Sequence, residues 1–224
     1  MMTPAMLTGQ TDLHVVSLSE GHRLQSEAVA AFNGLRQAGL RQGFNLQPAS
    51  GFRDFQRQLA IWNGKFRGER PLLDKESRPI NSQSLSVPER CEAILRWSAL
   101  PGTSRHHWGS DVDVYDPDLL PAGGALQLTP AEYQPGGYFS PLSDWLTEHM
   151  ADFDFYRPYA SFRGGVAIEP WHLSYRPLAC RAESLLTPDI VLKSWQDVDV
   201  AGSMWIIPRL PAIFRRYISN VDKE

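Results

Sequence analysis

Cysteine is almost missing from this chain. Cys91 and Cys180 are its two cysteines, too far apart for a CxxC pair and too few for a disulfide framework, so both are expected as buried thiols. No apolar run is long enough to span a bilayer. The first ten residues lack the basic start and continuous apolar stretch of a secretory leader, so the chain as written is expected in the cytoplasm. A positive surplus is missing too: 22 lysines and arginines stand against 25 aspartates and glutamates. With no basic patch interleaved with aromatics, a nucleic-acid partner is excluded. Repeats, low-complexity tracts and a linker are also absent. Apolar residues make up 42% of the chain, an ordinary share that rules out disorder. One domain over 1–224 is therefore expected, with a motif-bearing core at about 20–178 and a helical extension at about 179–224.

The residues that are present give an α+β outline, in which a small antiparallel sheet carries the site, helices flank it, and long loops surround a cleft. Ser26 to Gln42 reads as a helix with Ala28, Ala31, Phe32, Leu35 and Ala38 on one face. Phe44 to Ala49 follows as a strand, and Asp54 to Phe66 as a helix that turns Phe55, Leu59 and Trp62 inward. Polar residues 68–88 form an irregular loop, then Pro88 to Leu100 a helix. Residues 116–137, rich in Pro, Gly and Leu, make a surface excursion over the cleft. Pro141 to Met150 is helical, and Val166 to Tyr175 returns as strands. Helical spacing recurs at Leu185 to Asp197 and Pro211 to Ile218, around an apolar run in which Trp205 and Ile206 are expected to pack on the core.

Two segments carry the chemistry. Ser104-Arg105-His106-His107-Trp108-Gly109-Ser110-Asp111-Val112-Asp113 pairs a turn glycine with an alternating strand. Asp111 and Asp113 then share one face while Val112 and Val114 take the other. Glu169-Pro170-Trp171-His172 places an acid and an imidazole three apart, and Pro170 argues against a mid-helix setting. This differs from the helical two-histidine motif of thermolysin-like proteases. Singly, each residue has an ordinary reading: a hydrogen-bonded histidine, a strand-edge charge, a turn cap. Jointly, His106, Asp113 and His172 are the donor set of a catalytic zinc, which takes three protein ligands and leaves a position for water, with Glu169 as a nearby base.

The first segment resembles the Ser-x-His-x-x-Gly-x-Ala-x-Asp signature of the VanY-like D-alanyl-D-alanine carboxypeptidases, the M15B zinc peptidases. The second resembles their Glu-x-x-Trp-His signature. Upstream, Ser50-Gly51-Phe52-Arg53-Asp54-Phe55-Gln56-Arg57-Gln58 is similar to their Ser-Gly-Tyr-Arg-Ser-Tyr-x-x-Gln segment. The three motifs occur in the family's order.

The resemblance implies one Zn2+ held by His106, Asp113 and His172, Glu169 as general base and later proton donor, and Arg53 beside the developing oxyanion. Ser104 and Gln58 would position substrate, and Trp171 precedes the histidine as in the family. Asp111 departs from the pattern, standing where the family has a small residue, usually alanine. Three roles remain open for it: a partner behind a metal ligand, a contact to a substrate amine, or a solvated charge on the rim. The implied substrate is a peptidoglycan stem peptide ending in D-Ala-D-Ala. An L,D-carboxypeptidase or a lysis-type endopeptidase would use the same zinc machinery. A non-catalytic zinc- or peptide-binding module is disfavoured, because such a module has no need of Glu169 and Arg53. Wall substrates sit outside the membrane, so the expected compartment implies cytoplasmic precursors, an upstream start or unconventional export. Oligomeric state is not legible.

Overall fold

A computed structural model describes residues 2–19 and 21–223. A short helix, α1 (Pro4–Leu7), and a hairpin of β1 (Val16–Ser19) and β2 (His22–Leu24) precede α2 (Ser26–Arg41) and β3 (Gln47–Ser50). Then come α3 (Phe55–Arg67), a second hairpin of β4 (Leu72–Leu73) and β5 (Pro79–Ile80), α4 (Val87–Trp97) and β6 (Asp111–Tyr115). The chain continues through α5 (Pro130–Tyr133), α6 (Ser140–His149), β7 (Phe155–Tyr156) and β8 (His172–Tyr175). It finishes with α7 (Arg176–Leu185), α8 (Pro188–Ser194), α9 (Ser203–Ile206) and α10 (Leu210–Ile213), the last extended by a π-turn over Phe214–Ile218.

The central sheet runs β3-β6-β8-β7, with every neighbouring pair antiparallel. Its period-2 alternation sorts chemistry by face. Val112 and Val114 of β6 and Leu173 of β8 are fully buried and pack with Leu24, Phe32, Leu35, Leu142 and Phe155 beneath α2 and α6. Burial of side chains of this size is worth about 1.5–3 kcal/mol each, so the apolar face fixes the register. Asp111 thereby pairs with Ser174 and Asp113 with His172 on the opposite face. Ser50 of β3 lies across from Asp113 on the other side, after a register shift. Pro48 lacks a ladder donor and sits on the edge strand β3, where that omission is harmless. A second core joins α3, α4 and the C-terminal helices through Phe55, Trp62, Ile94, Leu95, Ile206 and Leu210.

Several expectations from the sequence need correction. Phe44 to Leu46 is not strand, because Arg36 Nε donates to the Leu46 carbonyl at 2.9 Å and the Asn45 amide donates to Asp116 at 2.9 Å, so side chains take the place of a ladder. Val166 to Ile168 is likewise irregular, with the Ala167 amide donating to Arg96. The partner of β8 is instead the short β7. The loop after α3 contains the β4–β5 hairpin, and α7 opens the helical extension at Arg176, slightly ahead of its expected start near 179, with Pro177 in its first turn. Cys91 is buried but Cys180 is exposed. Ile206 is buried and Trp205 packs partly against the same core.

Gly109 makes the turn from the His106 segment into β6 at φ +68°, and a Cβ there would lie 2.5 Å from Val15 Cγ1. Gly109→Ala is therefore expected to destabilise the protein by at least the roughly 1–2 kcal/mol of a left-handed alanine. Thermal unfolding would register a lowered midpoint, and an unchanged midpoint would mean that the turn relaxes without strain.

Candidate metal centre

The turn Arg105–Trp108 delivers His106, strand β6 delivers Asp113, and β8 opens on His172. One ligand atom from each lies within 4.8 Å of the others, and all three residues are buried. Hydrogen bonds fix which ring atom each histidine presents. His106 Nδ1 is 2.9 Å from the Gly51 carbonyl and donates to it, which leaves Nε2 as a lone pair 3.3 Å from Asp113 Oδ2. His172 Nε2 donates to Asp111 Oδ1 at 3.0 Å, so Nδ1 turns inward, 3.3 Å from Asp113 Oδ1 and 3.2 Å from Glu169 Oε2. The histidine rings meet edge to face at 4.9 Å.

This donor set fits a divalent cation. Asp113 Oδ1 is buried with no hydrogen-bond partner, an acceptor left free at the centre of the cluster. Burial opposes ionisation of Asp113, but facing His106 and His172 outweigh it and hold the carboxyl well below its usual range. Burial likewise opposes a charge on His172, yet the carboxylates of Asp111, Asp113 and Glu169 raise its pKa well above normal. Converging negative charge of this kind is what a bound dication neutralises.

Asp111 is no rim charge. It has 0% exposure and accepts from Arg105 Nε at 2.8 Å, from His172 and from Ser110 Oγ. Its pKa is depressed because Arg105 and His172 overcome the cost of burial. Nothing in the sequence singles out Arg105. Its guanidinium also bonds Glu183, Tyr156 Oη at 2.8 Å and Ser174 Oγ at 2.8 Å, while stacking over Trp108. No spacing rule connects residues so far apart in the chain, and the hint available was an arginine among residues destined for burial.

Glu169 hangs on a loop fixed by long-range bonds instead of a sheet. Its amide donates to the Tyr159 carbonyl at 3.0 Å, and Arg157 Nε donates to the Pro170 carbonyl at 2.7 Å. Trp171 packs on Tyr133 at 5.6 Å and lines the cleft. Arg53 donates from Nη1 to Gln58 Oε1 at 2.9 Å and from Nη2 to Ser50 Oγ at 3.2 Å. Burial loosens its proton, which Asp113 and Glu169 counter, and an arginine keeps its charge throughout. Gln58 is wholly buried, with its amide nitrogen donating to the Ala99 carbonyl at 2.7 Å. Both its polar ends are engaged, so its influence passes through Arg53. His107, the neighbour of a ligand candidate, points away. Its Nδ1 donates to the Arg53 carbonyl at 2.6 Å and its Nε2 accepts from the Gly102 amide at 3.2 Å, while burial pushes its pKa down to about 3 and keeps it neutral.

Arg53, Ser104, His106, Asp113, Glu169 and His172 border one cleft with a cavity of about 290 Å³. Lys65 and Tyr159, which no sequence motif singles out, border it as well. The VanY family, D-alanyl-D-alanine carboxypeptidase, matches residues 21–178, which include every motif residue of this cleft.

The chain belongs to the VanY family. An uncharacterized protein of Haemophilus influenzae is 45% identical over 121 residues, 53% of this chain and 92% of that protein. Among solved structures, a vancomycin resistance D,D-pentapeptidase VanY variant in complex with Zn(II) aligns at TM-score 0.54 and 24% identity, covering 74% of this chain and 80% of its own. VanYB in complex with D-alanine-D-alanine aligns at TM-score 0.54 and 24% identity, covering 82% and 90%. VanY membership makes this chain a metallopeptidase of the carboxypeptidase class. Among the described residues, no helix is long and apolar enough to cross a membrane.

Proposed function

We propose that this VanY-family chain is a zinc-dependent D,D-carboxypeptidase that hydrolyses the terminal D-Ala-D-Ala amide of peptidoglycan stem peptides, with 1–224 acting as one peptidase domain. The supporting observation is the convergence of His106, Asp113 and His172 within 4.8 Å, with Glu169 Oε2 only 3.2 Å from the inward nitrogen of His172. His106 Nε2, Asp113 and His172 Nδ1 would hold the ion, which when bound acidifies water and polarises the scissile carbonyl.

The chain's own groups do the rest. Glu169 borders the cleft and is mostly shielded, with 13% side-chain exposure. It takes a proton from the attacking water and returns it to the leaving amine. Arg53, clamped by Gln58 and Ser50, faces the oxygen on which negative charge develops. Because its donors are fixed before substrate arrives, little reorganisation accompanies the reaction. Asp111 and Arg105 keep His172 in the tautomer that presents Nδ1. Ser104 and Trp171 shape the wall against which the peptide lies.

Incubation of the zinc-loaded protein with stem pentapeptide, tetrapeptide and cross-linked muropeptides, read by mass spectrometry, tests this assignment. Loss of a single terminal D-alanine from the pentapeptide is expected. Cleavage confined to the tetrapeptide would make the enzyme an L,D-carboxypeptidase, and cleavage of cross-links an endopeptidase. No cleavage with zinc bound would indicate a binding module.

A further inference from the structure

We infer that Lys65 reads a carboxylate of the substrate and so determines specificity in this cleft; the inference builds on the peptidase reading above. Lys65 lies on α3 seven residues beyond Gln58 and four beyond Ile61, a spacing that puts all three on one side of the helix. Ile61 and Lys65 border the cavity that holds the metal candidates, Glu169 and Arg53. Lys65 therefore adds a second cationic donor to the cleft that Arg53 borders.

The surroundings of its ammonium are incomplete. Lys65 Nζ donates to Ser98 Oγ at 2.8 Å, and among the described residues no carboxylate stands within ion-pair distance of it. Burial pushes its pKa down to about 8, opposed by Glu169 and assisted by Arg53 and Arg70. A shielded cation with one hydroxyl partner is a poor structural device, because desolvation costs more than a single hydrogen bond returns. An arriving anion relieves that deficit. Leu73, Trp97 and Val166 line the same cleft, and these apolar walls strengthen an ion pair formed between them. The carboxylate can be the peptide's C-terminus or a side-chain carboxylate on the residue preceding D-Ala-D-Ala.

Binding is measured by calorimetry on zinc-loaded protein carrying Glu169→Gln, which prevents turnover. Four probes make two pairs: D-alanyl-D-alanine with its C-terminal amide, and acetyl-Glu-D-Ala-D-Ala with acetyl-Gln-D-Ala-D-Ala. In one pair the carboxylate member is expected to bind more tightly, and adding Lys65→Met should weaken that member about tenfold or more while sparing the neutral one. Lys65→Arg should restore most of the preference. The pair that responds identifies which carboxylate is read. Equal binding within both pairs in the parent protein, or a preference that survives Lys65→Met, overturns the inference. Lys65→Gln serves the same comparison if the methionine variant fails to fold. Lys65-dependent binding without hydrolysis of any stem peptide by the native enzyme would sink the peptidase reading alone. Hydrolysis with Lys65-independent preference would sink this inference alone.

Discussion

Glu169→Gln is expected to leave zinc content and thermal stability nearly unchanged while hydrolysis falls by about 10²–10⁴-fold, the usual weight of a positioned general base. Glutamine keeps the shape of the side chain beside His172 Nδ1, which lies 3.2 Å from the carboxylate. It cannot take a proton from water. The loop that carries it is held by the backbone bonds to Tyr159 and by Arg157 on Pro170, none of which involves the carboxylate. Atomic absorption for zinc beside a D-alanine release assay separates the two effects. A variant with full zinc and undiminished turnover would show that another group serves as base.

Arg105→Met is expected to have the largest effect on stability. It leaves Asp111, with 0% exposure, without its main cationic partner, and breaking one side of a buried ion pair costs about 3–5 kcal/mol. Tyr156, Ser174 and Glu183 lose the same donor. Methionine still fills space against Trp108, so the loss reports charge more than volume. Because Asp111 accepts from His172 Nε2, the disturbance reaches the metal, and zinc affinity should fall about 10–100-fold. Adding Asp111→Asn should recover part of the stability without restoring zinc affinity. Denaturant titrations with and without zinc would show this pattern. A single variant as stable as the parent would mean that the buried network carries no net weight.

The site was more legible than the scaffold that holds it. Alternation in Asp111-Val112-Asp113-Val114 announces a strand with one polar and one apolar face, and the structure turns both valines into the core. Gly109 signals a turn through its freedom at positive φ, and it turns there at +68°. The 3.6-residue period placed α2 within one residue of its C-terminus. What failed to show was whatever depends on distant partners. Arg36 and Asp116 draw the segment before β3 out of the sheet, and Arg96 does the same for Ala167. The two residues of β7 are too few to display a period. Arg105 reads as an ordinary surface arginine until Asp111, Tyr156, Ser174 and Glu183 close around it. Asp111 breaks the family pattern because here a carboxylate, itself held by that arginine, stands behind His172.

The decisive measurement is X-ray absorption at the zinc edge on purified protein, alongside Asp113→Ala. The account predicts one zinc per chain in a nitrogen and oxygen shell at about 2.0–2.2 Å without sulfur, and loss of that signal in the variant. A folded protein that takes up no zinc, or a signal that persists undiminished after Asp113→Ala, would contradict it.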